Sequence, residues 1–351
     1  MNVKGLLIAA ALSAVTLAGP VRAAQNISIL ATGGTIAGSA ETQTQAGYTS
    51  GQVGVETLLA AVPQLKDLAN VTGEQVANVG SQDMSDEIWL KLAARVNELA
   101  DSRKVDGIVI THGTDTIEET AYFLHLVVDS DKPVVLTAAM RPSTALSADG
   151  PLNIFNAVAV AADKEAGERG VLVVVNDDIH GARAITKTNP TDVQTFQSPE
   201  HGLIGTSLYG VNTFFRTPYR EHTEDSEFSL KGVKALPRVD VMYMHASFSP
   251  DLIDSAVANG AKGLVIAGVG NGNMTGGAQE AVKRAVQSGV AVVRSSRVYS
   301  GATGRNVEAN DDELGTVASG DLNPAKARVL LKLALLKTSD AGEIQELFYR
   351  Y

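Results

Sequence analysis

Short β-branched runs alternate with stretches of helical periodicity along almost the whole chain, and this alternation restricts its folding more than any other feature. Residues 27–30, 107–110, 134–138 and 171–175 are rich in Ile, Val and Leu and suit strands in length. Between the first two, Ile88, Leu92, Val96 and Leu99 follow at steps of four, four and three. They mark one face of a helix over residues 87–100, with Ser85 as its cap. Residues 116–128 form another candidate helix. Strand, helix and strand in succession close into a parallel sheet with helices on its faces.

The pattern lapses over residues 216–236, which are polar, lack a sustained period and end at Pro237. It then resumes, with strands at 239–244, 263–267 and 291–294 and a helix at 277–287. A C-terminal helix would be capped by Asn323, opened by Pro324 and packed through Leu330, Leu331, Leu333 and Leu335. A chain of 351 residues is long enough for two cores. The fold class expected is α/β, with two α/β domains. A larger N-terminal domain (24–215) has a mainly parallel sheet, a linker follows (216–237), and a smaller C-terminal domain (238–351) has a parallel sheet.

Residues 1–23 stand apart from that pattern. Lys4 gives a basic start, residues 6–18 are mostly apolar, and Val21-Arg22-Ala23-Ala24 offers small residues for cleavage, as in a secretory signal peptide. A membrane anchor is the alternative, but Ser13, Thr16, Gly19 and Pro20 interrupt the run, which falls short of the roughly 20 apolar residues a span needs. Cleavage would remove Lys4 and Arg22 from the 29 basic residues, leaving 27 against 39 acidic ones and a net charge of −12. Nucleic-acid binding, which needs a basic footprint, is disfavoured. The absence of cysteine excludes disulfides, thiolate catalysis and cysteine-ligated zinc together.

Two glycine-containing loops follow two of the strands. In Thr32-Gly33-Gly34-Thr35 the paired glycines allow positive φ and let backbone N–H groups approach a ligand or present Thr35. A plain strand-to-helix turn would use the same residues. A phosphate-binding P-loop would not, because Ile36 stands where its Gly-Lys-Ser/Thr ending belongs. In Thr111-His112-Gly113-Thr114-Asp115-Thr116, Asp115 suits a substrate ammonium, and Thr114 offers a hydroxyl and an N–H at the positive end of a helix. Helix capping by Thr114 or Thr116 is the plain alternative. Two threonine hydroxyls at one sheet edge suggest nucleophilic hydrolysis, provided a base removes the proton.

These loops, together with Gly80-Ser81-Gln82-Asp83-Met84, Met140-Arg141-Pro142, Ser147-Ala148-Asp149-Gly150, Gly268-Val269-Gly270-Asn271-Gly272-Asn273, Arg294-Ser295-Ser296-Arg297 and Asn323-Pro324-Ala325-Lys326, resemble the secreted bacterial type II L-asparaginases of the asparaginase/glutaminase family over essentially the whole mature chain. The resemblance implies hydrolysis of L-asparagine through a threonine acyl-enzyme, with side activity on L-glutamine and without a metal or organic cofactor. It implies Thr35 as nucleophile and Tyr48, in the Gly/Ser/Thr/Gln-rich segment 43–54, as its partner on a mobile flap. It also implies a catalytic cluster of Thr114, Asp115 and Lys187.

Substrate binding is implied for Ser81 and Gln82 at the α-carboxylate, Asp115 at the α-ammonium, and the backbones of Thr114 and Ala139 at the reacting amide. Asn273 and Glu308 would reach the site from a neighbouring subunit of a homotetramer assembled as a dimer of dimers. The implied location is the periplasm. Asn273 goes with a preference for asparagine, whereas residues 304–308 resemble the loop of broader glutaminase-asparaginases. Ser130 stands at one position of a disulfide known in some relatives.

Two other classes fit parts of the sequence. A periplasmic amino-acid-binding protein would also have a leader and two α/β domains, but it leaves the threonine loops without chemistry. A nicotinamide enzyme is suggested by Gly268, Gly270 and Gly272, but the third glycine is misplaced and Arg294 follows where an acidic residue belongs. His180 and His222 lack second ligands at metal-binding spacing.

Overall fold

The structure, a computed structural model, describes residues 24–45 and 47–351, so the signal peptide expected over residues 1–23 lies outside it. The first domain is built on an eight-stranded sheet. Its strands are β1 (Gln25–Gly33), β2 (Ala69–Val79), β3 (Gly107–Thr111), β4 (Val134–Thr137), β5 (Leu172–Val175) and β6 (Asp178–Gly181), followed by β9 (Gly205–Leu208) and β10 (Val211–Phe214) after a separate ribbon of β7 (Thr186–Lys187) and β8 (Phe196–Gln197). The spatial order is β10-β9-β6-β5-β4-β3-β1-β2. The strands from β5 to β2 are mutually parallel, and β6, β9 and β10 add antiparallel pairs at one edge.

Period-two alternation divides each central strand between two cores. Ile108 and Ile110 face one side, where α2 (Asp86–Asp101) and α3 (Ile117–Val127) pack; Val109 faces the other with Ile27 and Ile29, against α1 (Val55–Ala60) and α4 (Gly150–Ala161). Because both faces are covered, β3, β4 and β5 are buried throughout. Ser85 caps α2 as its position in sequence suggests, accepting a hydrogen bond from the Ile88 N–H at 3.4 Å.

The second domain has four parallel strands in the order β11 (Val239–Tyr243), β12 (Gly263–Gly268), β13 (Ala291–Ser296) and β14 (Val317–Ala318). On one face lie α5 (Asp251–Ala258) and α6 (Gly276–Gln287), and the short α7 (Asp311–Leu314) precedes β14. On the other face, α8 (Pro324–Ala334), capped by Asn323, packs against α3, with α9 (Ala341–Arg350) beside it. One apolar cluster therefore runs from Ile110 through Trp89 and Phe123 to Leu330, Val293 and Phe348, joining the two sheets.

Residues 216–237 carry one 3-10 turn, Thr223–Asp225, and no strand. They are nonetheless tied down. Phe228 and Leu236 enter the shared core, and the Ser226 hydroxyl donates to the Leu126 carbonyl at 2.6 Å. Among the described residues no helix is long and apolar enough to cross a membrane.

Candidate active site

β1 is followed in chain order by β2 on one side of it, whereas β3 lies on the other. The chain therefore reverses direction across the sheet at the β1/β3 boundary, and the C-terminal ends of the strands at such a reversal are where open α/β sheets bind ligands. The two threonine loops are these two loops. The Thr32 hydroxyl, donating to the Thr111 carbonyl at 3.0 Å, ties their roots together.

Thr35 opens a 3-10 turn immediately after β1 and is only 5% exposed. The register of β1 against β2 slips between Ala31 and Gly33, a bulge that turns the chain out of the sheet just before Thr35. Gly34 has φ +81°, and a Cβ there would stand 2.4 Å from the Gly113 backbone nitrogen and Cα. Glycine is required by both conformation and space, and its absence of a side chain is what lets the two loops touch.

Across the Thr35 turn lies the segment carrying Tyr48. Its hydroxyl is 2.6 Å from Thr35 Oγ1, and its ring lies where a Cβ on Gly38 would be 2.9 Å from Tyr48 Cδ2. Reciprocal bonds between Ser39 and Thr49, with Gly51 N–H donating to Gly34 O and Val53 N–H to Ala37 O, hold this segment down over the turn. Tyr48 remains 40% exposed, so it is reached from solvent while Thr35 is not.

The second cluster forms at the N-terminus of α3. Lys187, on the β7 strand, donates to Thr114 Oγ1 at 3.0 Å and to Asp115 Oδ1 at 2.6 Å. Helix capping is not what these hydroxyls do: Thr116 Oγ1 donates to the Ser81 carbonyl at 2.8 Å, and neither it nor Thr114 caps α3. Ser81 Oγ accepts from the Asp115 N–H at 3.2 Å, and a Cβ on Gly113 would collide with that hydroxyl at 2.6 Å. Three loops therefore meet here: those around residues 34 and 113 backbone to backbone, and that around residue 81 through the Ser81 hydroxyl and carbonyl. Asp115 and Lys187 also line an open cleft of about 390 Å³ with Glu118, Thr188, Asn189 and Pro190.

Gln82 is exposed; its amide folds back over Gly80 and donates to Asp83 Oδ2 at 3.1 Å, without a bond to Thr114 or Asp115. Ala139 is buried on the loop after β4, in the apolar cluster that holds Ile36 next to Thr35. That loop is shaped by Asp149, which accepts from the Met140 and Arg141 N–H groups at 2.9 Å each, and by Asn153, which donates to the Ala138 carbonyl at 2.9 Å. Asn273 and Glu308 belong to the second domain. Among the described residues no hydrogen bond or ion pair joins either to Thr35, Tyr48, Ser81, Thr114, Asp115 or Lys187.

One supporting element carries no signal in the sequence. His112 Nδ1 lies 2.8 Å from the Gly113 carbonyl, which can only accept, so Nδ1 bears the proton and Nε2 accepts from the Thr120 hydroxyl at 2.9 Å. Thr120 Oγ1 in turn accepts from Trp89 Nε1 at 2.8 Å. Burial pushes the His112 pKa down to about 4, which keeps the imidazole neutral and this order of donors intact. The Gly113 backbone is thereby fixed from beneath. His112 lies inside the quoted motif, but its partners are 8 residues and, through Thr120, a further 31 residues away.

The arrangement has two hydroxyls, each with a polar partner, on two touching loops beside a helix N-terminus, with a carboxylate and a lysine at hand. Such a set suits attack on a carbonyl carbon and stabilisation of the oxyanion that results. No group of three or more His, Cys, Asp or Glu side chains among the described residues is arranged to hold a metal.

Residues 26–220 match the family described as Asparaginase, N-terminal, and residues 238–348 match the Glutaminase/Asparaginase C-terminal domain. The chain is 54% identical to L-asparaginase 2 of Escherichia coli (strain K12) over 333 residues, 95% of each chain. It is 50% identical to the probable periplasmic L-asparaginase of Haemophilus influenzae over 323 residues, 92% of each chain. The crystal structure of a probable cytoplasmic L-asparaginase from Campylobacter jejuni superposes with a TM-score of 0.90 at 46% identity, covering 93% of this chain and 100% of that one.

Proposed function

The chain belongs to the asparaginase family over both of its domains, and we propose that it hydrolyses L-asparagine to L-aspartate and ammonia with Thr35 as the nucleophile. The observation that carries this reading is the pair of short hydroxyl contacts, Thr35 to Tyr48 at 2.6 Å and Thr114 to Lys187 at 3.0 Å, on loops whose backbones touch at Gly34 and Gly113. A binding protein would need neither contact.

In the proposed reaction Thr35 Oγ1 bonds to the side-chain amide carbon, and its proton leaves along the hydrogen bond to Tyr48 or toward the Thr114/Lys187 pair. The backbone N–H of Thr114, favoured by the N-terminal end of α3, would stabilise the tetrahedral oxyanion. Collapse breaks the carbon–nitrogen bond, and the departing nitrogen takes a proton to leave as ammonia. The remaining aspartyl ester on Thr35 is then opened by water, which gives one proton back to Thr35 and leaves aspartate. Asp115 and Ser81 would hold the α-ammonium and α-carboxylate, with Gln82 turning inward to join them and the Ala139 carbonyl receiving the amide nitrogen.

Asn273 and Glu308 complete the pocket from a second subunit in this reading, and the assembly is a homotetramer made of two such dimers. That neither residue bonds to the Thr35 cluster among the described residues of one chain supports it. Asn273 favours asparagine over glutamine, and the loop at 304–308 leaves glutamine as a slower substrate. We infer export to the periplasm from the leader-like residues 1–23 and the similarity to the Haemophilus influenzae protein, although the Campylobacter jejuni relative is described as cytoplasmic.

The test is ammonia release on L-asparagine by the wild-type protein and Thr35→Ala, with mass spectrometry of quenched reactions. The wild type should turn over and show an acylated peptide containing Thr35, and Thr35→Ala should do neither while keeping its circular dichroism spectrum. Turnover by Thr35→Ala would overturn the nucleophile, and saturable binding without turnover by the wild type would overturn the reaction.

A further inference from the structure

The glycine-rich turn at 268–272 and the arginine on the following strand, which do not fit a nucleotide site, have another use. Arg294 sits on β13 with Asp311 against it, and both side chains are 0% exposed. All five guanidinium N–H groups have acceptors. Nε donates to Asp311 Oδ1 at 2.7 Å and Nη2 to Asp311 Oδ2 at 2.6 Å; Nη1 donates to the Asn271 and Gly272 carbonyls at 3.2 Å each, and Nη2 also to the Gly304 carbonyl at 3.1 Å. Asp311 is equally filled, taking the Thr316 hydroxyl on Oδ1 at 2.6 Å and the Asn306 N–H on Oδ2 at 2.8 Å.

A second link joins the same two loops directly, since Asn271 Oδ1 accepts from the Gly304 N–H at 2.8 Å. One loop ends in Asn273, which closes back on Val269 through reciprocal backbone bonds of 2.8 and 2.9 Å, and the other leads to Glu308. A Cβ placed on Gly270 would lie 3.9 Å from Glu308 Oε2, so the two loops run side by side up to the residues of interest. Gly272, at φ +73°, leaves no room for a Cβ, which would stand 2.6 Å from Thr303 Cγ2 and 3.1 Å from Arg294 Nη1.

Burying an arginine and an aspartate completely is a poor way to gain stability, because desolvation of the two ions offsets most of their attraction. What the pair supplies, together with the Asn271–Gly304 bond, is a fixed distance between the two loops. We propose that Arg294, Asp311 and Asn271 form a clamp that sets the relative position of Asn273 and Glu308, and thereby how tightly the substrate is held. This rests on the reading that Asn273 and Glu308 reach the substrate. The three clamp residues are positioning residues; none touches the reacting atoms.

The test uses the assembled full-length mature enzyme and steady-state kinetics on L-asparagine and L-glutamine for Asn271→Ala, Asn271→Asp and Asp311→Asn, with Asn273→Ala and Glu308→Ala as direct probes. Loosening groups that bind ground state and transition state alike raises KM, so Asn271→Ala should raise the KM for L-asparagine about 10-fold with kcat within about 3-fold. Asn271→Asp, which keeps an acceptor for the Gly304 N–H, should return KM to within about 3-fold of wild type, and Asp311→Asn should follow Asn271→Ala. If Asp311→Asn fails to fold, the two Asn271 variants carry the test. An unchanged KM in Asn271→Ala beside a raised one in Asn273→Ala and Glu308→Ala overturns the clamp alone. An unchanged KM in all of them overturns the shared pocket and the clamp with it. A fall in kcat and Tm together, with KM constant, would reduce Arg294 and Asp311 to scaffolding and also overturn the proposal.

Discussion

Replacing Lys187 with methionine separates catalysis from stability. Lys187 is 17% exposed in its side chain and Asp115 59%, so their ion pair at 2.6 Å is largely accessible to water. Such a pair contributes at most about 1 kcal/mol to folding. For a chain of this size that is a loss of no more than about 3 °C in Tm. Methionine has a similar length and no charge, and it leaves the Thr114 hydroxyl without its 3.0 Å donor. If the pair moves protons during the reaction, its removal costs about 10²- to 10⁴-fold in kcat. That corresponds to about 3–5 kcal/mol in the barrier at 1.36 kcal/mol per decade.

Ammonia release measured well below Tm, alongside thermal unfolding by circular dichroism, reads both quantities on one preparation. Lys187→Arg is the companion variant. Its guanidinium keeps the attraction to Asp115 but does not give up a proton near neutral pH, so Tm should recover and kcat should not. A loss in kcat/KM of less than 10-fold in Lys187→Met would refute a proton-transfer role. Recovery of rate in Lys187→Arg would leave Lys187 only an electrostatic one.

Gly34→Ala should lower kcat/KM at least about 100-fold, since a Cβ 2.4 Å from the Gly113 backbone forces the two threonine loops apart; an active Gly34→Ala enzyme would contradict the close approach. Burial lowers the pKa of His112 and of His180 to about 4, so both fold neutral and the unfolded chain binds more protons between about pH 4 and 6.5. Stability should therefore fall as pH falls through that window, by on the order of 3 kcal/mol for each histidine at its lower end, and a urea midpoint that stays constant between pH 6.5 and 5 would refute this. Burial raises the pKa of Glu119 to about 7, and its contribution is lost as pH rises from about 4.5 to 7, which offsets part of the histidine trend, so Glu119→Gln should steepen the fall in urea midpoint below pH 6.5. Mixing dissociated Thr35→Ala and Asn273→Ala chains and letting them reassemble should restore activity toward about a quarter of wild type, the share of sites with both native residues if subunits pair at random; no recovery would argue against a pocket shared between chains.

What the sequence disclosed follows from how completely each element is buried. The strands β3, β4, β5, β12 and β13 read clearly because sheets covered on both faces need unbroken apolar runs. Strand β2 did not, since it lies at an edge and its Asn70, Thr72, Glu74 and Gln75 look like a polar loop. The hairpin of β9 and β10 is half exposed as well, and Leu208 and Val211 point to solvent. In the site, the two threonine loops were visible because glycines flanked by hydroxyls just past apolar strands are locally unusual. Lys187 was not, because its partners Thr114 and Asp115 are 73 and 72 residues away and only the β7/β8 ribbon brings it there. Its assignment came from resemblance alone. The same holds for the buried Arg294, whose five acceptors lie on three separate segments that no spacing rule connects.

The two hydroxyls differ in how they are held, and this bears on when the site is active. Thr114 is held by Lys187 on a ribbon and by a loop braced through the buried His112, Thr120 and Trp89. Among the described residues the only side-chain partner of Thr35 is Tyr48, on a segment tied to the Thr35 turn mainly by a few backbone bonds. Were that segment to lift, Thr35 would lose its hydrogen bond to Tyr48 and become open to water. A threonine oxygen without a partner to take its proton is a weak nucleophile. If Thr35 is the nucleophile proposed above, closure of this segment over a bound amino acid would arm it, and substitutions in the segment should alter KM and kcat together, unlike those at the Asn271 clamp.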